Sequence, residues 1–503
     1  MFKKTIAAFM AAAMLLSGCA EIATVDTSVT SSKSTDIIVT PEITKSESVP
    51  AASVVTDPSE KAGDETPSSQ VQPEQPTEPE ETAEPLPPLS AEQQAIASAK
   101  TLPVVYVTTE GMQPVTSKEF YVNSNIEVFN CSEDLRLIAT GGIRVRGNST
   151  SDLDGNPPYR IKFDEKHNML GLHDGKKYKS WVLLRTWTTL IPDYMAFALA
   201  DIIFEDKYYS SDYTFVNVYL NGVHQGVYLL CEQNQVAKGR IGVKEPKDGD
   251  TSVLVGYSME MDNYPSEDHP YFLMTHMSTQ LTDMMGTTRK LRGNYYSIKS
   301  DTYSQEQVAF IEKYMNSVFA ILYHAAADNT AYVLDDQMNA VPSADITPEQ
   351  AVRNVIDVDS AVNMLILEEL THNYDIGAGS FYMAVDFSDN ELYKKLTFDA
   401  PWDFNWAYQD STEGYYASTF QINPYGGDST NVWLVSLMSM EWFRKMVKAK
   451  WRNIESTQEL ETMLRRLSET LPTLAGDAGA PANTAQAVVN YVNGRIAWLN
   501  TVW

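Results

Sequence analysis

Residues 142–163 read GIRVRGNSTSDLDGNPPYRIKF. Gly142-Ile143-Arg144-Val145-Arg146-Gly147 alternates apolar with basic residues and closes on glycine, which reads as a strand. A polar loop runs to Pro158, and Tyr159-Arg160-Ile161-Lys162-Phe163 alternates again, setting Arg160 and Lys162 on one face. Working outward, Thr101–Val128 reads as strands with turns, Lys179–Leu184 as a strand and Ile191–Ile203 as a helix. Thr214–Leu220, Asn221-Gly222 and Gly226–Glu232 form a hairpin about a strong Asn-Gly turn. Beyond Ser304 the period becomes helical. Helices are predicted at Gln305–Ala326 and at Asp359–Leu370, the latter capped by Asp357 or Asp359. Leu392–Phe398 reads as a short strand, and Met440–Asn453, Glu459–Thr470 and Ala485–Leu499 as closing helices. No repeat of 20–50 residues is visible, which argues against solenoids and propellers. The expectation is an α+β fold over residues 95–503, two-lobed, with strands first and helices second.

The preceding residues carry no such pattern. Lys3 and Lys4 precede an apolar run from Ile6 to Leu16, short for a membrane span and suited to a secretory signal over residues 1–18. Leu16-Ser17-Gly18-Cys19 resembles a bacterial lipobox, so the expected mature chain starts at lipidated Cys19 and sits on the outer face of the cell membrane. Residues 19–94 are rich in Ser, Thr, Pro and Glu. From Ala20 to Ser90 they hold 14 Asp/Glu against 3 Lys, −11 of the chain's −28. Such a segment buries too little apolar surface to offset its ordering entropy, and it reads as a disordered spacer. The acidity of the whole chain excludes a nucleic-acid partner. With Cys19 lipidated, two thiols remain, Cys131 and Cys231, whose pairing the sequence leaves open.

The chain has no GxSxG, GxxxxGK[ST] or GxGxxG and no paired H-x-x-x-H, so lipase, P-loop and dinucleotide chemistries lack support. Acidic residues stand out instead. Asn373-Tyr374-Asp375 ends a predicted helix, and Asp399, Asp403 and Asn405 follow a predicted strand. Two carboxylates on separate loops suit Mg²⁺, which takes hard oxygen ligands, or else serve as caps and turn formers.

In order along the chain, several segments resemble the spore-coat protein H (CotH) kinase family. They are Ile143–Thr150 with Pro158–Phe163, Trp181–Leu184, Tyr219–Gly222 with Gly226–Leu230 and Glu232, Glu369-Leu370 with Asn373 and Asp375, and Pro401–Trp406. Insertions are expected near 265–292 and 327–352. The resemblance implies an atypical protein-kinase fold that holds ATP with Mg²⁺ or Mn²⁺ between its lobes. It makes Asp375 the catalytic-loop acid and Asp403 the metal acid, with Ser380 and Asn405 at the metal. Arg144, Arg146, Ser149 and Lys162 are expected on the phosphates, and Glu232 where the lobes connect and adenine binds. The implied activity is phosphorylation of Ser/Thr on an exported or surface protein. Departures from the family pattern are Ser380 for an Asn, Asn405 for an Asp, Asn156-Pro157 for lysines and Pro192 for an Arg. They leave a catalytically weak kinase-fold module open, used for adhesion or for cell-wall or polysaccharide contact. A two-carboxylate glycosidase is the remote third reading.

Overall fold

Alternation of apolar and polar residues over seven strands leaves one face of each to be buried, and these faces bury one another. The computed structural model describes residues 85–503 except 148, 153–155, 187–188, 264, 266–268, 277–278, 410, 424–425 and 478–481. Signal, lipobox, Cys19 and most of the spacer lie outside the described residues. Helix α1 (Ala91–Ala99) precedes β1 (Val104–Thr109), β2 (Val122–Phe129), β3 (Leu137–Val145), β4 (Tyr159–His167) and β5 (Tyr178–Leu184). Helix α2 (Ile191–Phe204) leads to β6 (Tyr213–Leu220) and β7 (Val223–Glu232). The strands close into a barrel in the order β1-β2-β3-β4-β5-β7-β6, antiparallel throughout except where β6 meets β1. Ile126, Ile143, Ile161, Trp181, Val218 and Leu230 fill its interior.

The outward face of the barrel matters most here. Across it, Arg144 pairs with Arg160, Arg160 with Val182 and Val182 with Cys231. One row thus runs from cationic to apolar. The apolar end packs against α2, where eleven of fourteen residues are buried.

The second half builds a sheet and a helical layer. Its elements are β8 (Gly256–Met261), β9 (Tyr271–Met274), β10 (Gln280–Thr282), β11 (Thr288–Lys290) and β12 (Asn294–Ile298), then α3 (Gln305–Ala327). They continue with β13 (Tyr332–Leu334), β14 (Ala340–Pro342), α4 (Pro348–Val355), α5 (Val358–Thr371), β15 (Phe381–Asp386) and β16 (Thr397–Phe398). Helices α6 (Val432–Ser439), α7 (Glu441–Thr457), α8 (Glu459–Asp477) and α9 (Ala482–Val502) close the chain. The antiparallel sheet runs β16-β15-β8-β12-β9. Helix α5, buried at thirteen of fourteen positions, lies inside the layer.

The architecture is α+β, as expected, with several corrections. The boundary at 94/95 cuts through α1, whose Ser90 forms a reciprocal capping box with Gln93; the compact unit begins at Leu86. Within the segment 265–292, where an insertion is expected, β9 joins the main sheet. Leu392–Phe398 is a strand only at Thr397–Phe398. Asp386 holds a turn there by accepting from Ser388 N and Asn390 Nδ2, and Tyr393 bends inward to donate to Asp399. The helix expected from Met440 begins at Glu441, after an unforeseen α6 capped by Asn431. Cys131 and Cys231 are both free thiols.

Candidate active site

Helix α5 ends because His372 turns into the left-handed region, at φ 48°. Asn373 then caps a single 3-10 turn, Tyr374–Gly377, its Oδ1 accepting from the amide of Asp375 at 3.2 Å. Gly377 is needed for contact: a Cβ there would lie 2.2 Å from the carbonyl oxygen of Ser429. The second loop follows β16. Asn373 Nδ2 donates to the carbonyl of Asp403 at 3.2 Å and ties the two loops together. Ser380, Ala400, Asp403 and Tyr408 all hold positive φ, at 56°, 54°, 65° and 60°. Left-handed non-glycine residues cost energy and collect at functional sites.

Asp403 receives three polar groups. Ser380 Oγ approaches its Oδ2 at 3.4 Å, Asn405 Nδ2 donates to its Oδ1 at 2.6 Å, and Arg146 lies close enough to draw its charge. Asn405 therefore presents its amide NH₂ and orients the carboxylate, where the sequence predicted an oxygen ligand. Asp375 and Asp403 are both half-buried. Burial first, and then the Asp403 charge, push Asp375 up to about 8; burial also raises Asp403 while Arg146 opposes it.

The structure adds a carboxylate that sequence reading missed. Asp193, in the first turn of α2 and 2% exposed, accepts from Phe404 N at 2.9 Å. Its Oδ2 has no hydrogen-bond partner, and burial with the Asp403 charge pushes it up to about 7. An Asp after a proline reads as ordinary helix-start chemistry, and nothing in the sequence links position 193 to 404.

Above the carboxylates stand arginines. The Arg146 guanidinium lies over the Trp402 ring at 5.6 Å. Arg144 lies over Tyr121 at 5.2 Å, and Arg160 feels Arg144, Arg146 and Arg240 as neighbouring charges. Among the described residues, Arg144, Arg146 and Arg160 have no carboxylate within ion-pair distance, and the Nε atoms of Arg144 and Arg160 are buried without partners. Arg160 takes the place expected of Lys162, which is exposed one pair further along β4, opposite Gly142 and Ser180. Gly147 has φ 89°, and a Cβ there would meet Thr150 Oγ1 at 2.3 Å, so this turn needs glycine. Ser149 opens the 3-10 turn after it, and its side chain is outside the described set.

Glu232 does not join them. It is fully buried; Oε1 accepts from Arg240 Nε at 2.8 Å, and Oε2 meets His173 Nδ1 at 2.8 Å and Asp212 N at 3.1 Å. Both oxygens are engaged within the protein, which corrects the expectation of a nucleotide contact by this side chain. Asp399 likewise points away, toward Tyr393. A cavity of about 560 Å³ beside His173, Tyr208, Arg240 and Tyr393 contains none of the paired carboxylates.

Among the described residues no group of three His, Cys, Asp or Glu side chains is arranged for a metal. The donor set suits Mg²⁺ nonetheless. Two repelling carboxylates favour a cation between them, and Mg²⁺ commonly takes one or two carboxylates with waters and phosphate oxygens. Asp403 would hold it, with Ser380 Oγ beside it.

A barrel whose Arg144, Arg146 and Arg160 form no ion pair among the described residues thus carries them near two loops that bring Asp375 and Asp403 together. The family model described as CotH kinase protein matches residues 143–476, two thirds of the chain. The chain belongs to the CotH kinase family. The match includes Arg144, Arg160, Asp193, Asp375 and Asp403, and leaves β1, β2 and α9 outside. A search of the curated proteins finds no match.

Proposed function

We propose that this chain is an atypical protein kinase, transferring the γ-phosphoryl group of ATP to Ser or Thr hydroxyls of an exported or surface protein. In this reading the barrel and α2 form the nucleotide-side lobe, and the five-stranded sheet with its helices forms the other. The observation that carries it is the meeting of Asp375 and Asp403 within reach of the Arg146 charge, with Arg144 and Arg160 near Arg146 and, among the described residues, in no ion pair. Phosphoryl transfer depends mainly on positioning and charge neutralisation. Arg146, Arg144 and Arg160 bind phosphate oxygens, and Gly147 leaves room for the backbone to approach them. Asp403 is held by Asn373, Ser380 and Asn405, and Asp375 accepts the proton of the attacking hydroxyl. The hydroxyl oxygen bonds to the γ-phosphorus as the bond to the β–γ bridging oxygen breaks, and ADP leaves. Bound Mg²⁺ or Mn²⁺ supplies neutralisation of the phosphate charge.

Export and membrane attachment rest on Lys3, Lys4, the apolar run and Cys19. A second reading, a weakly active or inactive surface-binding module, draws on Ser380 and on Asn405, whose amide faces Asp403. The deciding experiment incubates the purified chain with labelled ATP, Mg²⁺ or Mn²⁺ and a Ser-rich acceptor. Transfer that disappears in both Asp375→Ala and Asp403→Ala supports the kinase. No transfer, together with no ATP-induced thermal shift, favours the binding module.

A further inference from the structure

The turn that carries Asp375 is fastened at its own carbonyl groups. A single 3-10 turn leaves its last carbonyls without partners inside the turn. The carbonyl of Asp375 accepts from the amides of Ala378 and Gly379, both at 2.8 Å. That of Ile376 accepts from Nδ2 of Asn431, the cap of α6, at 2.8 Å. The carbonyl of Gly377 receives two side chains, Nη2 of Arg292 and Nδ2 of Asn294, the second at 3.1 Å. Arg292 closes the segment 265–292, where an insertion is expected, and stands 85 residues before the carbonyl it holds.

Arg292 is itself fixed from behind. His276 Nδ1 lies 2.8 Å from the Arg292 carbonyl, which can only accept, so this nitrogen carries the proton and donates. Its Nε2 then accepts from the Tyr296 hydroxyl at 2.9 Å, and that hydroxyl accepts from Trp433 Nε1 at 2.8 Å. His276, Tyr296 and Trp433 are all buried, and burial pushes the His276 imidazole down to about 4, which keeps it neutral. A chain of donors thus runs from α6 through β12 to the Arg292 backbone, and from the Arg292 side chain to the turn. The half-buried guanidinium forms no ion pair among the described residues, and its Nε is buried without a partner. Burial disfavours its charge, and Asp428 offsets this only in part. A cation in that position is costly to keep. Its bond goes to the loop of Asp375.

We propose that Arg292, with Asn294 beside it, is a positioning residue for Asp375: the two donors fix the Gly377 carbonyl, and with it the turn that aims the Asp375 carboxylate at the attacking hydroxyl. The proposal rests on the kinase reading and adds to it two residues outside the carboxylate pair. A general base must lie within about 2.6–3.2 Å of the proton it takes. A misplacement of about 1 Å can cost on the order of 100-fold in rate. Asn431 and Asn294 are neutral donors, whereas Arg292 supplies the charged and stronger one. Burial and the Asp403 charge set the Asp375 carboxyl, so Arg292 acts on its place and not on its charge.

The test uses the full chain. Arg292→Met removes the donor and the charge, Arg292→Lys keeps a cationic donor, and Asn294→Ala removes the second donor on the same carbonyl. Hydrogen–deuterium exchange is followed by mass spectrometry over residues 373–380, where the Ala378 and Gly379 amides report the turn, with residues 159–163 of β4 as reference. Arg292→Met should speed exchange over 373–380 about tenfold and leave β4 unchanged. With Mg²⁺, ATP and a Ser-rich acceptor its kcat should fall about tenfold or more, while both KM values stay within about twofold. Arg292→Lys should recover most of kcat. Parent-like exchange and kcat in Arg292→Met overturn the proposal, and so does a loss of kcat accompanied by faster exchange in β4, which is general destabilisation. If Arg292→Met does not fold, Asn294→Ala decides: exchange about threefold faster with lower kcat supports the proposal, and parent values overturn it. Should the parent chain transfer no phosphate, the kinase reading fails, while exchange over 373–380 still decides whether Arg292 holds the turn.

Discussion

At the scale of single residues, the site depends on holding Asp403 in a left-handed turn that an aspartate does not favour. Asp193 is placed to do this, accepting the Phe404 amide from within the protein. Asp193→Ala would leave that donor buried and unpaired, a penalty of about 1–3 kcal/mol. It should weaken Mg-ATP binding in calorimetry roughly tenfold, and Asp193→Asn, which keeps the acceptor oxygen, should restore most of it. The raised carboxyls also set a pH dependence. Asp375 and Asp193 stand near 8 and 7 in the folded chain, against about 3.9 unfolded. Between those values the folded state holds protons that the unfolded state has lost, so their contribution is present at low pH and lost as pH rises through 7 to 8. The metal-free chain should therefore melt at a lower temperature at pH 8 than at pH 6, and Asp375→Asn should reduce that slope. A melting temperature that climbs over this range would contradict the assignment.

At the scale of elements, the loop that carries Asp375 hangs from α5, and α5 is fastened by one buried ion pair. Glu369 accepts from Arg495 Nη2 at 3.0 Å and from the amides of Tyr416 and Ser418, and Arg495 Nε donates to the Glu369 carbonyl at 2.8 Å. Both side chains are fully buried. Glu369 belongs to the segments that resemble the family, yet its bonds all go to the scaffold. Glu369→Ala would strand a buried guanidinium and should cost roughly 3–5 kcal/mol in denaturant unfolding. Part of this scale was legible beforehand. Strand alternation exposed most of the barrel strands, and the 3.6-residue period gave α3 and α5. The break between α6 and α7 was hidden, because extended Met440 sits between two apolar helical patterns.

At the scale of the whole molecule, the compact unit begins earlier than composition suggests. Leu89, Ile96 and Ala97 pack on Val104, Phe129 and Tyr219, and Arg136 Nη2 donates to the Pro87 carbonyl. A chain starting at Thr101 should thus melt several degrees below one starting at Leu86, since it uncovers Phe129 and Tyr219. Equal melting temperatures would show that α1 adds nothing. The boundary was obscured because the helix is short, polar and continuous in composition with the Pro-Glu segment before it.

Much of this protein is determined by local pattern. Alternation, capping and the Asn-Gly turn identify elements, and the spaced motifs from Ile143 to Trp406 identify the family, because such signals lie within a few residues of one another. Asp375 and Asp403 could be named from them as well. Tertiary structure alone decided the rest. It set Arg160 rather than Lys162 among the arginines, because a closed barrel fixes which residues of a basic strand face the loops. It enclosed Glu232 within the protein, because Arg240 and His173 converge on its carboxylate. It brought Asp193 to Phe404, two positions 211 residues apart. Contacts between distant segments depend on how the elements pack, and no local period encodes that packing.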